Sequence, residues 1–205
     1  MRRAVEVNRM TVNVEPWRFT VEEYVKMGEA GVFAVPERVE LIEGEIVPMS
    51  PQDPPHASTT QRLTTLWVVA FGKTHGVRVQ LPLTLGRYSE PEPDFALVPL
   101  ALDGTFERHP TSADLVVELA HTTLAFDRSE RASLYAKAGI GEYWIVNLAK
   151  NRLEVRQQPI TSAERPYGWD YGSLQILAPG QTVAPLFAPE TSFAVKELVG
   201  EALSS

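Results

Sequence analysis

The chain has 205 residues, 44% of them apolar and 22% charged, the balance of a globular protein long enough to bury a sizeable core. With no cysteine present, disulfides, thiolate-zinc sites, iron–sulfur clusters and cysteine nucleophiles are excluded. A net charge of −7 counts against a protein living on non-specific phosphate contacts, yet suits an enzyme with an acidic metal-binding pocket and a local basic rim.

Residues 1–17 read as a polar lead-in, 18–200 as one domain and 201–205 as a tail. The first residues carry no apolar run of the signal-peptide kind. The longest apolar run, Leu66 to Phe71, falls far short of the ~20 residues a membrane span needs. A cytoplasmic location with no membrane partner is therefore expected.

Thr20 through Met27 predicts a helix, with Thr20 as N-cap and Glu23 completing a capping box, ended by Gly28 and Gly31. Arg38–Ile42 and Glu45–Met49 predict a hairpin turning at Glu43-Gly44. The proline-rich run from Pro51 to Pro55 is a stiff loop. A helix from His56 to about Lys73 follows, with Leu63, Leu66, Trp67 and Ala70 recurring at the spacing of one buried face.

Val77–Leu83, Phe95–Val98 and Asp114–Ala120 predict strands, the last almost wholly apolar and hence central. Asp127–Ala138 predicts a helix stopped by Gly139. Tyr143–Leu148 predicts a buried strand, and Arg152–Gln157 its hairpin partner. The remainder reads as short strands and loops that finish the sheet. The fold class expected is α/β, a mixed sheet flanked by helices.

Side chains alternate faces along a strand. Asp94 therefore shares a face with Ala96 and Val98, and Glu118 with Val116 and Ala120. If those strands pair antiparallel, the two carboxylates lie on adjacent backbones ~5 Å apart. They would repel unless protonated or bridged, and a hard divalent cation with oxygen ligands resolves the conflict. The plainer alternative makes Asp94 a turn residue and Glu118 a buried glutamate paired with an arginine. Walker, HExxH and zinc-spaced patterns are absent, and Gly139-Ile140-Gly141 follows a helix instead of opening one.

Several spaced segments carry a resemblance: Arg38–Gly44, His56, Glu92-Pro93-Asp94, Leu115–Ala120, Asp127 through Ile140, and Glu142–Val146. Together they resemble the Uma-two family, mostly bacterial restriction-endonuclease-like proteins of the PD-(D/E)XK superfamily, over about residues 18 to 200. The resemblance implies that fold, with an extra N-terminal hairpin and C-terminal strands. It also implies a metal-dependent endonuclease acting on DNA, with Asp94 and Glu118 as ligands to Mg²⁺ (or Mn²⁺), and leaves a homodimer open.

The superfamily lysine slot holds Ala120. In this family the lysine sits on the following helix, four residues after Asp127, where this chain has Arg131. Arginine can hold a phosphate bidentately but cannot give up a proton. Arg131 as a catalytic charge and Arg131 as structural counter-ion to Glu118 both stay open. So does a catalytically weak or inactive nuclease-fold module that binds nucleic acid or assembles with partners.

Glu40 and His56 are further catalytic candidates for positioning water, against a solvated strand face and a helix cap. Gln80 and His121 are candidate pocket residues, though the plainer reading of His121 is an exposed loop histidine. Lys137 reads as solvated, and Tyr143 and Trp144 as core.

Overall fold

The computed structural model describes residues 16–33, 38–103 and 108–200. The lead-in, apart from residues 16–17, and the tail lie outside them. Helix α1 (Val21–Glu29) carries the expected capping box, Thr20 Oγ1 accepting from Glu23 N while Glu23 accepts from Thr20 N. Strands β1 (Val39–Ile42) and β2 (Glu45–Pro48) pair antiparallel through a turn with Glu43 at φ 50° and Gly44 at φ 83°. This hairpin is a sheet of its own, tied to the rest by a bridge between Leu41 and Glu90 and by Tyr24 Oη donating to Val39 O.

Helix α2 (Pro54–Phe71) starts two residues earlier than its sequence pattern predicts. Asp53 is the N-cap, accepting from His56 N at 2.9 Å, and prolines fit a first turn whose N–H groups have no intrahelical partner. Its buried stripe is Thr59, Leu63, Trp67 and Phe71, whereas Ala70 is exposed. The next strand also shifts: β3 (His75–Val79) stops where Gln80 takes φ 51°, short of the predicted Leu83. Strands β4 (Phe95–Pro99) and β5 (Leu115–Ala120) follow as expected.

A helical segment runs continuously as α3 (Leu124–Phe126), a π-helical turn (Asp127–Arg131) and α4 (Ala132–Lys137). It then feeds β6 (Glu142–Asn147), β7 (Arg152–Thr161) and β8 (Trp169–Leu177). Strands β9 (Thr182–Val183) and β10 (Phe193–Ala194) make a small ladder before α5 (Val195–Val199). The β7–β8 hairpin is much longer than the short strands expected here. Gln158 at φ 63° and Pro159 break the strand pattern, but β6 pairs β7 only as far as Gln157, so no ladder bond to β6 is lost at the proline.

The main sheet has the order β3-β4-β5-β6-β7-β8, antiparallel except for the β5–β6 pair. That parallel pair needs a crossover, which the segment from α3 to α4 supplies. Alternation along β4 and β5 divides the core. Phe95, Leu97, Leu115 and Val117 pack with Trp67 and Phe71 of α2 on one face. Ala96, Val98, Val116 and Ala120 pack with Leu134 and Tyr135 of α4 on the other. Each fully buried large apolar side chain adds ~1.5–3 kcal/mol. Among the described residues no helix is long and apolar enough to cross a membrane.

Gly44 holds the hairpin in place, its N–H donating to Tyr88 O at 2.7 Å and its carbonyl accepting from Phe19 N at 2.9 Å. A Cβ there would lie 2.6 Å from Arg18 Cβ and 2.9 Å from its Cα. Gly44→Ala should thus cost about 2 kcal/mol or more. Gly180→Ala, with nothing within 4 Å of its Cβ, should cost far less. Urea midpoints of the two variants check this, and equal midpoints would remove the hairpin constraint.

Candidate active site

Asp94 precedes β4, whose register pairs Phe95 with Val117. One step further along the same register sets Asp94 opposite Glu118, both on the face shared by Ala96 and Val116. Backbone bonds lock the pair: Asp94 N donates to Glu118 Oε2 at 3.2 Å, and Leu119 N donates to Asp94 Oδ2 at 2.8 Å. His56, in the first turn of α2, brings Nε2 to 3.0 Å from the Asp94 carboxylate. Gln80 Nε2 donates to Asp94 Oδ1 at 3.1 Å. The positive φ of Gln80 lets its side chain turn back to Asp94, a conformation uncommon for a non-glycine residue.

Glu118 Oε1 is held from the helical side. Arg131 Nη1 donates to it at 2.8 Å and Tyr135 Oη at 2.7 Å. Arg131 Nη2 donates to Glu40 Oε1 at 2.8 Å, and Arg131 Nε lies 3.5 Å from Asp127 Oδ1. All four partners of this buried arginine are themselves buried. The other Glu40 oxygen accepts from Glu92 N at 3.2 Å. Glu40 therefore anchors Arg131 with both oxygens engaged.

One cleft of about 370 Å³ is lined by Asp94, Glu118, Arg131, Glu40, His56, Gln80 and His121. All seven residues singled out in the sequence are thus brought together. His121 stands on the rim, paired with the Asp53 side chain. Lys137 stands apart and bonds Glu43 at 2.5 Å. Tyr143 and Trp144 are fully buried, as core readings expect.

Two participants escaped the sequence reading as site residues. Tyr135 follows Arg131 by four residues on the inward stripe, a signal that assigned it to core. Asp127 was read as a helix start, but its carboxylate is buried, accepting from Thr123 Oγ1 at 2.6 Å beside Arg131.

Burial pushes the Glu118 carboxyl well above the usual range, against the pull of Arg131. Burial likewise raises Asp127 to about 6. Asp94 moves the other way: burial would raise it, but the His56, Leu119 and Gln80 donors together bring it below its ordinary value. Burial would lower His56, yet the bond to Asp94 and the nearby Asp53 and Asp127 charges carry it above its ordinary value. Arg131 is held charged by Glu118, Glu40 and Asp127 despite its burial.

Asp94, Glu118, Glu40 and Asp127 thus crowd four carboxyl groups around the Arg131 guanidinium and the His56 ring. The donor set fits a hard divalent cation. Glu118 Oε2 has, among the described residues, only the 3.2 Å contact from Asp94 N, and the Asp94 carboxylate lies beside it. Among the described residues no group of three or more potential ligands converges. Magnesium needs only one or two carboxylates, with water and phosphate completing its shell.

The mixed sheet with its β5–β6 crossover and flanking helices is a restriction-endonuclease-like α/β fold. The sequence matches the Uma2 family, described as "Putative restriction endonuclease", over residues 21–196, and the chain belongs to that family. A similar solved structure is the crystal structure of "a putative nuclease belonging to DUF820" from Anabaena variabilis ATCC 29413. It is 18% identical, its match covers 88% of this chain and 97% of that one, and the TM-score is 0.62. No curated protein matches the sequence.

A carboxyl raised in the native state binds more protons folded than unfolded, so native stability falls as pH rises through the interval. For Asp127 that interval runs from the ordinary 3.8 to about 6. His56, raised above 6.5, acts in the same direction from 6.5 upward. In chelator, wild type should lose roughly 2 kcal/mol relative to Asp127→Asn between about pH 4 and pH 6. Parallel urea-denaturation profiles for the two proteins would contradict this.

Proposed function

We propose that this protein is a divalent-metal-dependent endonuclease that hydrolyses phosphodiester bonds in DNA. The observation carrying the reading is the cross-strand pair Asp94–Glu118, on one face at the mouth of a cleft. Membership of a family described as restriction endonucleases supports the nucleic-acid substrate.

Asp94 and Glu118 would hold Mg²⁺, with Mn²⁺ as a substitute. When bound, such an ion acts as a Lewis acid and lowers the pKa of water at its shell. The protein's own part is positional. Gln80 and His56 orient the Asp94 carboxylate, while Tyr135 and Arg131 fix one Glu118 oxygen and leave the other facing Asp94. His56 lines the cleft with Nε2 on the Asp94 carboxylate and Nδ1 3.4 Å from Thr60 Oγ1, so its part is to hold Asp94 in place. Both Glu40 oxygens are likewise engaged, which assigns Glu40 to holding Arg131.

One observation favours a second reading, a nuclease-fold module of little or no catalytic power. Arg131, in the position of the family lysine, is saturated by Glu118, Tyr135 and Glu40, so its charge is already spoken for.

Calorimetry with Mg²⁺ and nicking of supercoiled plasmid separate the two. Under the nuclease reading Glu118→Gln abolishes the metal-binding heat and cuts nicking by at least ~10²–10³. Tyr135→Phe, which removes a group orienting a ligand, costs ~10–100-fold. Arg131→Lys preserves or raises nicking. No heat at millimolar-range metal, and no nicking by wild type or Arg131→Lys, would leave the module reading.

A further inference from the structure

A second cavity, of about 640 Å³, adjoins the first across the opening turn of α2, and His121 lines both. The two differ in chemistry. Six carboxylates line the first: Glu40, Asp53, Glu92, Asp94, Glu118 and Asp127. Among the described residues no aspartate or glutamate lines the second, where Ser58, Thr59, Arg62, His121 and Asn151 supply the polar groups. In a chain with 26 acidic and 19 basic residues, a donor-rich pocket free of carboxylates selects for anions.

Arg62 gives the independent observation. Ser58 and Arg62 stand four residues apart on the α2 face beside its core stripe. The Arg62 guanidinium is half-buried and, among the described residues, forms no ion pair. Its Nη1 is buried without a hydrogen-bond partner, and Nη2 makes only a 3.4 Å bond to Leu198 O. Gly200, at φ 81°, brings bare backbone to the guanidinium, and a Cβ there would lie 3.2 Å from Nη2. A cation withdrawn from water without a counter-charge is costly unless an anion completes it.

We propose that this pocket binds a backbone phosphodiester of the same nucleic-acid strand whose scissile group occupies the neighbouring cleft. Arg62 is its charged anchor, with Asn151, Ser58 and His121 as neutral or rim donors. Guanidinium suits this task because it stays charged when partly buried and makes charge-assisted bonds to phosphate oxygens. The assignment rests on the nuclease reading of the first cleft, and it gives an acidic protein a local means of holding a polyanion.

The test measures anisotropy of a short fluorescein-labelled single-stranded DNA across a salt series in Mg²⁺. Full-length protein with Asp94 and Glu118 intact is used, on a phosphorothioate-linked strand that resists cleavage, so that binding is read without hydrolysis. Adding Arg62→Ala should weaken binding about tenfold and reduce the slope of log affinity against log salt by ~0.7, the increment for one phosphate on a single strand. Asn151→Asp places a carboxylate in the pocket, at a backbone φ of 47° that aspartate tolerates, and should weaken binding while leaving Arg62 intact. Circular dichroism melts check that both variants fold.

Unchanged affinity and slope in both variants would overturn the pocket, and plasmid nicking by wild type would then still support the nuclease reading. Arg62-dependent binding without any nicking would remove the nuclease reading and keep the pocket. Competition by inorganic phosphate with strand binding indifferent to Arg62 would identify a free-anion site and overturn the strand assignment.

Discussion

The arrangement around Arg131 is what the remainder of the site leans on. Burying a guanidinium and its carboxylate partners costs several kcal/mol per ion, and such a cluster persists only where geometry satisfies nearly every donor. Here Glu118 from β5, Glu40 from β1 and Asp127 from the π-helical turn converge on one side chain, joined by Tyr135 from α4. Because these partners come from separate elements, the cluster fixes hairpin, sheet and crossover against one another. It also sets Glu118 in one orientation, with Oε1 bound inward and Oε2 left toward Asp94.

Arginine and lysine would do different things at this position. A lysine ammonium is a compact charge on a mobile stem and can leave a carboxylate to meet a phosphate. The planar fork of arginine serves several carboxylates at fixed angles and gains most from staying where it is. In this geometry the Arg131 guanidinium points to its buried partners, and His56 turns its ring to Asp94. The π-helical turn contributes to the same end. It is a local widening often found at functional sites, and in this chain it carries both Asp127 and Arg131 to the buried wall.

Much of this was legible in the sequence because it depends on local pattern. Period-two alternation in Phe95–Val98 and Leu115–Ala120 was enough to put Asp94 and Glu118 on one face, and the apolar run of β5 marked it as central. The capping box at Thr20 and the Glu43-Gly44 turn were equally readable. What escaped depends on long-range partners or unusual backbone. The turn of Gln80 into positive φ ended β3 early, against an apolar pattern that continued to Leu83. Tyr135 looked like core because burial and a polar tip give the same helical spacing. The long β7–β8 hairpin hid behind Gln158 and Pro159, which read as breakers when the partner strand is unknown.

The two cavities give the α2 N-terminus opposite electrostatic sides. On one, Asp53 caps the helix and His56 turns toward an excess of carboxylates that a divalent cation can offset. On the other, Ser58 and Arg62 face a pocket that no acid among the described residues lines. A polyanionic strand approaching a protein of net charge −7 is repelled on average, so productive approach requires local fields that differ from the mean. A divalent cation held at Asp94 and Glu118 would offset the negative charge of the first cleft, and Arg62 already supplies positive charge at the second. With both in place a continuous path for phosphates would cross the first turn of α2. Metal occupancy would then control strand binding as well as chemistry, because the ion removes the repulsion that keeps a phosphate out of the acidic cleft.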